Sequence, residues 1–205
     1  MLKTTEKRSS LPTGLASLDL FLAGGWPAGG MTVLSGEKGC GKTELALRAA
    51  AEATKADRWV ALVSAGETLF PPSFSEHGVD LARLLWVRPK EEIHARWALE
   101  QLTRSGLFTL VLASHLHLGE KEARRLQLGS EQTGAAALLL TEPIQTNLWA
   151  LTLHCEVARS SDRILVLKVR RSRKPLSRFQ TEVNLDEKPN SGDLSSQPAV
   201  RIVAS

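Results

Sequence analysis

The chain has 205 residues, 42% hydrophobic and 23% charged, with a formal net charge of +4. Those proportions fit one soluble globular domain with a full core and short flanking segments, and no apolar run approaches the ~20 residues that span a bilayer. Two cysteines, Cys40 and Cys155, are too few for a disulfide framework or a zinc site, which predicts a reducing, cytoplasmic setting.

In chain order, residues 1–10 are polar, without apolar periodicity or the h-region of a signal peptide, and are expected to be a flexible segment. The folded domain is expected over 11–187 and a flexible tail over 188–205. Leu15, Leu18 and Leu22 have helical spacing, which Gly24-Gly25 stops, and Pro27 to Gly30 read as a turn. Met31-Thr32-Val33-Leu34 reads as a buried strand, and Glu44 to Ala53 is a run of strong helix formers. Further apolar strands are expected at Arg58–Ser64, Leu84–Val87, Leu107–Ala113 and Gly134–Thr141. Helices are expected at Ser73–His77, Lys90–Ser105 and Gly119–Gln132, the second of them presenting Ile93, Trp97, Ala98 and Leu102 on one face. From Leu148 the pattern changes. Leu148–Val157, Arg163–Arg170 and Phe179–Leu185 alternate as strands without intervening helices, which predicts an antiparallel extension. The fold class is therefore α/β, a mostly parallel sheet flanked by helices with an antiparallel C-terminal edge.

Between the strand at Met31 and the helix at Glu44 lies Gly36-Glu37-Lys38-Gly39-Cys40-Gly41-Lys42-Thr43, a full match to G-x-x-x-x-G-K-[ST]. Strand, glycine loop and helix form the P-loop arrangement. The glycines let successive N–H groups turn toward phosphate oxygens, and the helix N-terminus adds partial positive charge. Lys42 is assigned to the β/γ-phosphates and the Thr43 hydroxyl to Mg²⁺. The whole segment Gly36, Glu37, Lys38, Gly39, Cys40, Gly41, Lys42 and Thr43 is the expected nucleotide cradle, with Cys40 as a small loop-filling residue.

The order of these pieces resembles the RecA-type ATPase core, which places Leu-Pro-Thr-Gly-x-x-x-Leu-Asp before its P-loop. Here Leu11-Pro12-Thr13-Gly14-Leu15-Ala16-Ser17-Leu18-Asp19 and Gly25-Trp26-Pro27-Ala28-Gly29-Gly30 carry that entry. The likeness continues through Ala65, Gly78 to Leu85 and Arg104-Ser105-Gly106, over residues 11–142. Within the family, the antiparallel end with Lys168-Val169-Arg170-Arg171 and the loop before Phe179 is similar to the shortened ImuA subgroup. That resemblance implies an accessory protein of damage-induced, mutagenic translesion DNA synthesis in the SOS response. It implies ATP or ADP with Mg²⁺ as cofactors, and DNA-polymerase-like proteins of the mutagenic complex as partners, with RecA as a further candidate. The setting it implies is cytoplasmic and nucleoid-associated.

Measured against the family, the hydrolytic positions depart. Ala113 stands where a metal-side Asp ends the fourth strand of the core. Ser64-Ala65-Gly66-Glu67 replaces Asp-Ala-Glu, so Gly66 takes the general-base position and Glu67 serves only through a one-residue bulge. Thr141-Glu142-Pro143 stands where a Gln senses the γ-phosphate, and a carboxylate there repels it. The expectation is nucleotide binding with weak or no hydrolysis. The alternatives are an active RecA/RadA-type ATPase with Glu67 as base, and a RecA-derived regulator such as a cell-division inhibitor. Short connections after Ser114 and Pro143 replace the long DNA-binding loops of recombinases, which argues against strand exchange.

A basic cluster comprises Lys168, Arg170, Arg171, Arg173, Lys174 and Arg178. It is either a solvated hairpin or a contact for DNA phosphates or an acidic partner, with little aromatic interleaving for base stacking. His115 and His117 have metal-like spacing without a third ligand, and read as loop histidines. Trp59, Trp86, Trp97 and Trp149 are expected to fill the core.

Overall fold

The structure, a computed structural model, describes residues 10–65, 72–114, 116–143 and 150–187. Met1 to Ser9, Gly66, Glu67, His115, Trp149, the link 144–147 and the tail 188–205 lie outside the described residues.

A small ribbon comes first. β1 (Ser10–Leu11) pairs antiparallel with β2 (Trp26–Pro27), and α1 (Ala16–Phe21) lies between them in sequence. The sequence reading had residue 10 in a flexible segment and Pro27 in a turn, because a two-residue strand leaves no periodicity to detect. The Leu-Pro-Thr-Gly entry has a physical role here. Thr13 N–H donates to Asp19 Oδ1 at 2.8 Å, and Leu15 N–H to Thr13 Oγ1 at 3.2 Å, so these side chains satisfy main-chain donors of the turn that leads into α1. Burial raises the Asp19 pKa above its ordinary value, opposed by the bonds from Thr13.

The main sheet holds the remaining strands: β3 (Gly30–Ser35), β4 (Trp59–Ser64), β5 (Leu84–Val87), β6 (Phe108–Ser114), β7 (Ala136–Thr141), β8 (Leu153–Arg159), β9 (Ile164–Ser172) and β10 (Gln180–Asn184). Their order is β10-β9-β8-β3-β7-β6-β4-β5. The ladder from β5 to β8 is parallel, whereas β8–β9 and β9–β10 are antiparallel, as the change of pattern predicts. Helices α2 (Lys42–Lys55), α3 (Pro72–Glu76), α4 (Glu92–Arg104) and α5 (Glu120–Thr133) connect the parallel strands, with a 3₁₀ turn at Leu81–Arg83.

Alternation along the strands divides the core in two. Leu34, Leu62, Leu112, Leu140 and Cys155 pack with α1 and α2 on one face. Val33, Val63, Ala113 and Leu139 pack with Ala95, Leu99, Ala123 and Leu126 of α4 and α5 on the other. Cys155, fully buried among apolar side chains, has its thiol pKa pushed up to about 12, so it is a packing residue.

The tryptophans correct the sequence reading. Trp97 is 64% exposed and Ile93 60%, because α4 turns Ala95, Ala98, Leu99 and Thr103 inward instead. Small residues on that face let the helix approach the sheet and α5 closely, and close packing outweighs the burial of two large side chains on the opposite face. Trp59, at the first position of β4, is half exposed. Trp86 does reach the core, 5.9 Å from Phe74, and Trp26 is fully buried.

Candidate functional site

The glycine loop leaves β3 at the carboxyl end of the parallel strands and enters α2. Gly41 is the N-cap of that helix with φ 97°, a left-handed conformation that a side chain would strain. At Gly36 the constraint is space: an added Cβ would lie 2.3 Å from Val157 O and 2.7 Å from Cys40 Sγ. Cys40 N–H donates to Glu37 O at 3.2 Å, closing the loop's turn, and Leu45 N–H donates to Gly41 O at 3.1 Å, starting the helix ladder. Lys42 folds back over the loop, its Nζ donating to Gly36 O at 2.8 Å and Glu37 O at 3.0 Å. An ammonium has three donors. The third meets only Cys40 Sγ, at 4.0 Å, a weak acceptor that a phosphate oxygen would displace.

Wall and strand ends differ in kind. On the β8 side of β3, the hairpin closes against the loop. Val157 O abuts Gly36, Leu165 lies where a Gly41 side chain would be, and Arg159 Nε donates to Gly39 O at 3.0 Å. On the other side, the last positions of the parallel strands carry hydroxyls. Ser64 Oγ accepts from Trp86 Nε1 at 2.9 Å, which commits it to packing. Ser114 Oγ is buried and has no hydrogen-bond partner among the described residues. Thr141 Oγ1 donates to Glu142 O at 2.9 Å, and Ser35 Oγ is 2.8 Å from His154 Nε2. Burial lowers the His154 pKa below its ordinary value of 6.5, with Glu156 pulling the other way. Ala113 is buried in the cluster formed with α4 and α5, so its methyl is a core group. Glu142 is exposed just beyond β7.

These residues fit a phosphate chain: a glycine cradle, the start of a 14-residue helix, and one ammonium. For Mg²⁺ they supply the Thr43 hydroxyl. Among the described residues no group of three or more His, Cys, Asp or Glu side chains forms a cation site. Thr43 is the residue that would hold a Mg²⁺ ion, which would offset the charge of a bound phosphate chain.

Two members of the basic cluster, Arg170 and Arg173, are paired with carboxylates. Arg170 Nε donates to Glu156 Oε2 at 2.6 Å. Arg173 donates to Glu131 Oε1 and to Ala150 O, each at 3.2 Å, which ties β9 to α5. Arg171 lies opposite His154 in the β8–β9 register, and Lys174 O accepts from Ser172 Oγ at 2.7 Å. Lys168, Arg178 and Phe179 are exposed. His117 is 3.7 Å from Glu92 and almost fully exposed, in keeping with a loop histidine. Sequence reasoning missed Arg159 and Glu44 as neighbours of the site, since Arg159 reaches the loop from 120 residues away.

A glycine loop between a strand and a helix, at the carboxyl end of a parallel α/β sheet, places the chain in the P-loop fold class. A family model of the RecA N-terminal domain matches residues 2–160, and the chain belongs to the RecA family. It is 33% identical over 137 residues to Protein RecA of Gloeothece citriformis, covering 66% of this chain and 38% of that protein. To Protein RecA of Streptomyces coelicolor it is 32% identical over 145 residues, covering 70% and 39%. To Protein RecA of Thermotoga maritima it is 31% identical over 137 residues, covering 66% and 38%. The chain thus spans less than two fifths of the length of these relatives. None of its described helices is long and apolar enough to cross a membrane.

Proposed function

We propose that this protein is a RecA-like accessory scaffold of damage-induced mutagenic translesion synthesis, which binds ATP or ADP with Mg²⁺ and hydrolyses it weakly or not at all. The observation that carries the reading is a complete phosphate loop beside strand ends that present hydroxyls. Phosphate binding needs backbone N–H groups, the helix terminus and Lys42. Turnover also needs a metal-side carboxylate and a base aimed at water. Neither Ala113 nor Ser114 supplies the first. The bound Mg²⁺ would offset phosphate charge, while Lys42 and the loop amides orient the chain of phosphates.

The translesion assignment rests on the likeness of the C-terminal hairpin to the ImuA subgroup and on family membership. Its partners are then DNA-polymerase-like proteins, and RecA as a further one. Any DNA contact would run first through Lys168 and Arg178, which are exposed, because Arg170 and Arg173, though also exposed, are engaged with Glu156 and Glu131. The test is reconstitution of the purified chain with an inactive Y-family-like protein and a replicative-type polymerase. A stable complex that Lys42→Ala weakens is expected. A chain that joins neither protein, with or without nucleotide, would remove this assignment. The second reading, an active RecA-type ATPase with Glu67 as base, is favoured by the identity to RecA proteins and predicts fast turnover.

A further inference from the structure

We infer that Arg159 is a positioning residue of the phosphate loop, a guanidinium strut that holds the loop's peptide planes in their phosphate-receiving orientation. This rests on the nucleotide-binding reading above. Arg159 is the last residue of β8, and each part of its planar head is engaged. Nε donates to Gly39 O at 3.0 Å, Nη1 donates to Asp162 O at 2.7 Å, and Nη2 lies 3.9 Å from Glu44 Oε2. Asp162 belongs to the turn between β8 and β9, so one rigid fork joins the hairpin tip, the loop apex and the first turn of α2.

The apex needs such a strut. Gly39 has φ 79°, and no heavy atom of the described residues lies within 4 Å of where its Cβ would be, so none of them restrains it on that side. A loop containing Gly36, Gly39 and Gly41 has many alternative conformations, and binding is weakened by whatever ordering it requires. A trans peptide holds its N–H opposite its C=O. Anchoring Gly39 O on the guanidinium outside the loop therefore sets Cys40 N–H toward the interior, where it closes the turn on Glu37 O.

The same group also corrects a charge. Glu44 sits in the first turn of α2, next to Thr43, where its carboxylate suits the helix terminus but repels phosphate. Arg48, at 3.1 Å, and Arg159 flank that carboxylate from two directions and offset it. Loss of Arg159 thus loosens the loop and leaves Glu44 with a single cationic partner of the two.

The experiment compares the full chain with Arg159→Met, which keeps the stem and removes the donors, and Arg159→Lys, which keeps the charge and one donor. Affinity is measured with a fluorescent ATP analogue and Mg²⁺, and amide exchange over residues 37–44 is measured without nucleotide. Arg159→Met is expected to weaken binding about tenfold, the scale of one hydrogen bond to a charged group, and to speed exchange at Gly39 to Lys42. Arg159→Lys should recover part of the affinity, and the ligand-free melting temperature should barely move. A Met variant that binds as tightly as wild type, with unchanged exchange, overturns the inference while leaving nucleotide binding intact. A wild-type chain with no affinity for the analogue overturns both readings together.

Discussion

On one side of the P-loop strand, β8 and β9 press a carbonyl, an isopropyl group and a guanidinium against the loop; on the other, β7, β6 and β4 end in Thr141, Ser114 and Ser64. The first side is dense and specific, with contacts at all three loop glycines. The second is built of hydroxyls, one bonded to an indole, one to a main-chain carbonyl and one, Ser114, to none of the described residues. The contrast teaches that gripping a phosphate and hydrolysing it are carried by different strands of one sheet. Carboxylates can therefore be absent from one set of strand ends without disturbing the packing that shapes the loop.

The largest effect should come from the braced side. Gly36→Ala places a methyl 2.3 Å from a backbone oxygen that cannot step aside. Destabilisation of about 3 kcal/mol, the upper range for overpacking, and loss of nucleotide binding are expected in chemical denaturation and equilibrium titration. Lys42→Ala touches the ligand more than the fold. It should cost about 2 kcal/mol of binding, as for hydrogen bonds to charged groups, with nearly unchanged stability by the same two measurements.

The strand-end side predicts a change of opposite sign. Ser114→Ala removes a buried hydroxyl with no partner among the described residues and should be neutral or stabilising by up to about 1 kcal/mol, with no change in nucleotide affinity. A drop in affinity would show that this hydroxyl belongs to the site after all, and would narrow the contrast. The smallest effect is a pH dependence at Ser35 and His154. The His154 pKa is lowered in the fold, so below its ordinary 6.5 the unfolded chain binds more protons than the folded one. Stability is then full above that value and falls as the pH drops through the folded pKa. Unfolding midpoints across this window should show the decline in wild type and a flatter profile in His154→Gln.

Much of this was readable in the residues. The loop Gly36–Thr43 carries its geometry in local sequence, because glycine spacing, Lys42 and the helix formers after it act within a few positions. The antiparallel extension was equally visible in the alternation of β8 to β10. Orientation was harder to read. Ile93 and Trp97 resemble an apolar stripe, yet packing selected Ala95, Ala98 and Leu99, which only the neighbouring sheet and α5 decide. Trp59 shows the same limit at a strand end. The strut at Arg159 and the pairing of Arg170 with Glu156 depend on register across β8 and β9, and single-residue patterns do not encode which charge meets which. In the sequence Ser114 reads only as a residue that, like the adjoining Ala113, brings no charge to the family's carboxylate position; that its hydroxyl is buried depends on the packing of the sheet.

The account stands on one comparison of binding with turnover. Mg²⁺–ATP affinity and steady-state phosphate release should be measured side by side for wild type and Lys42→Ala. Binding that Lys42→Ala weakens about thirtyfold, with phosphate release in wild type no faster than in that variant, is the predicted result. Sustained release in wild type that disappears in Lys42→Ala would contradict it.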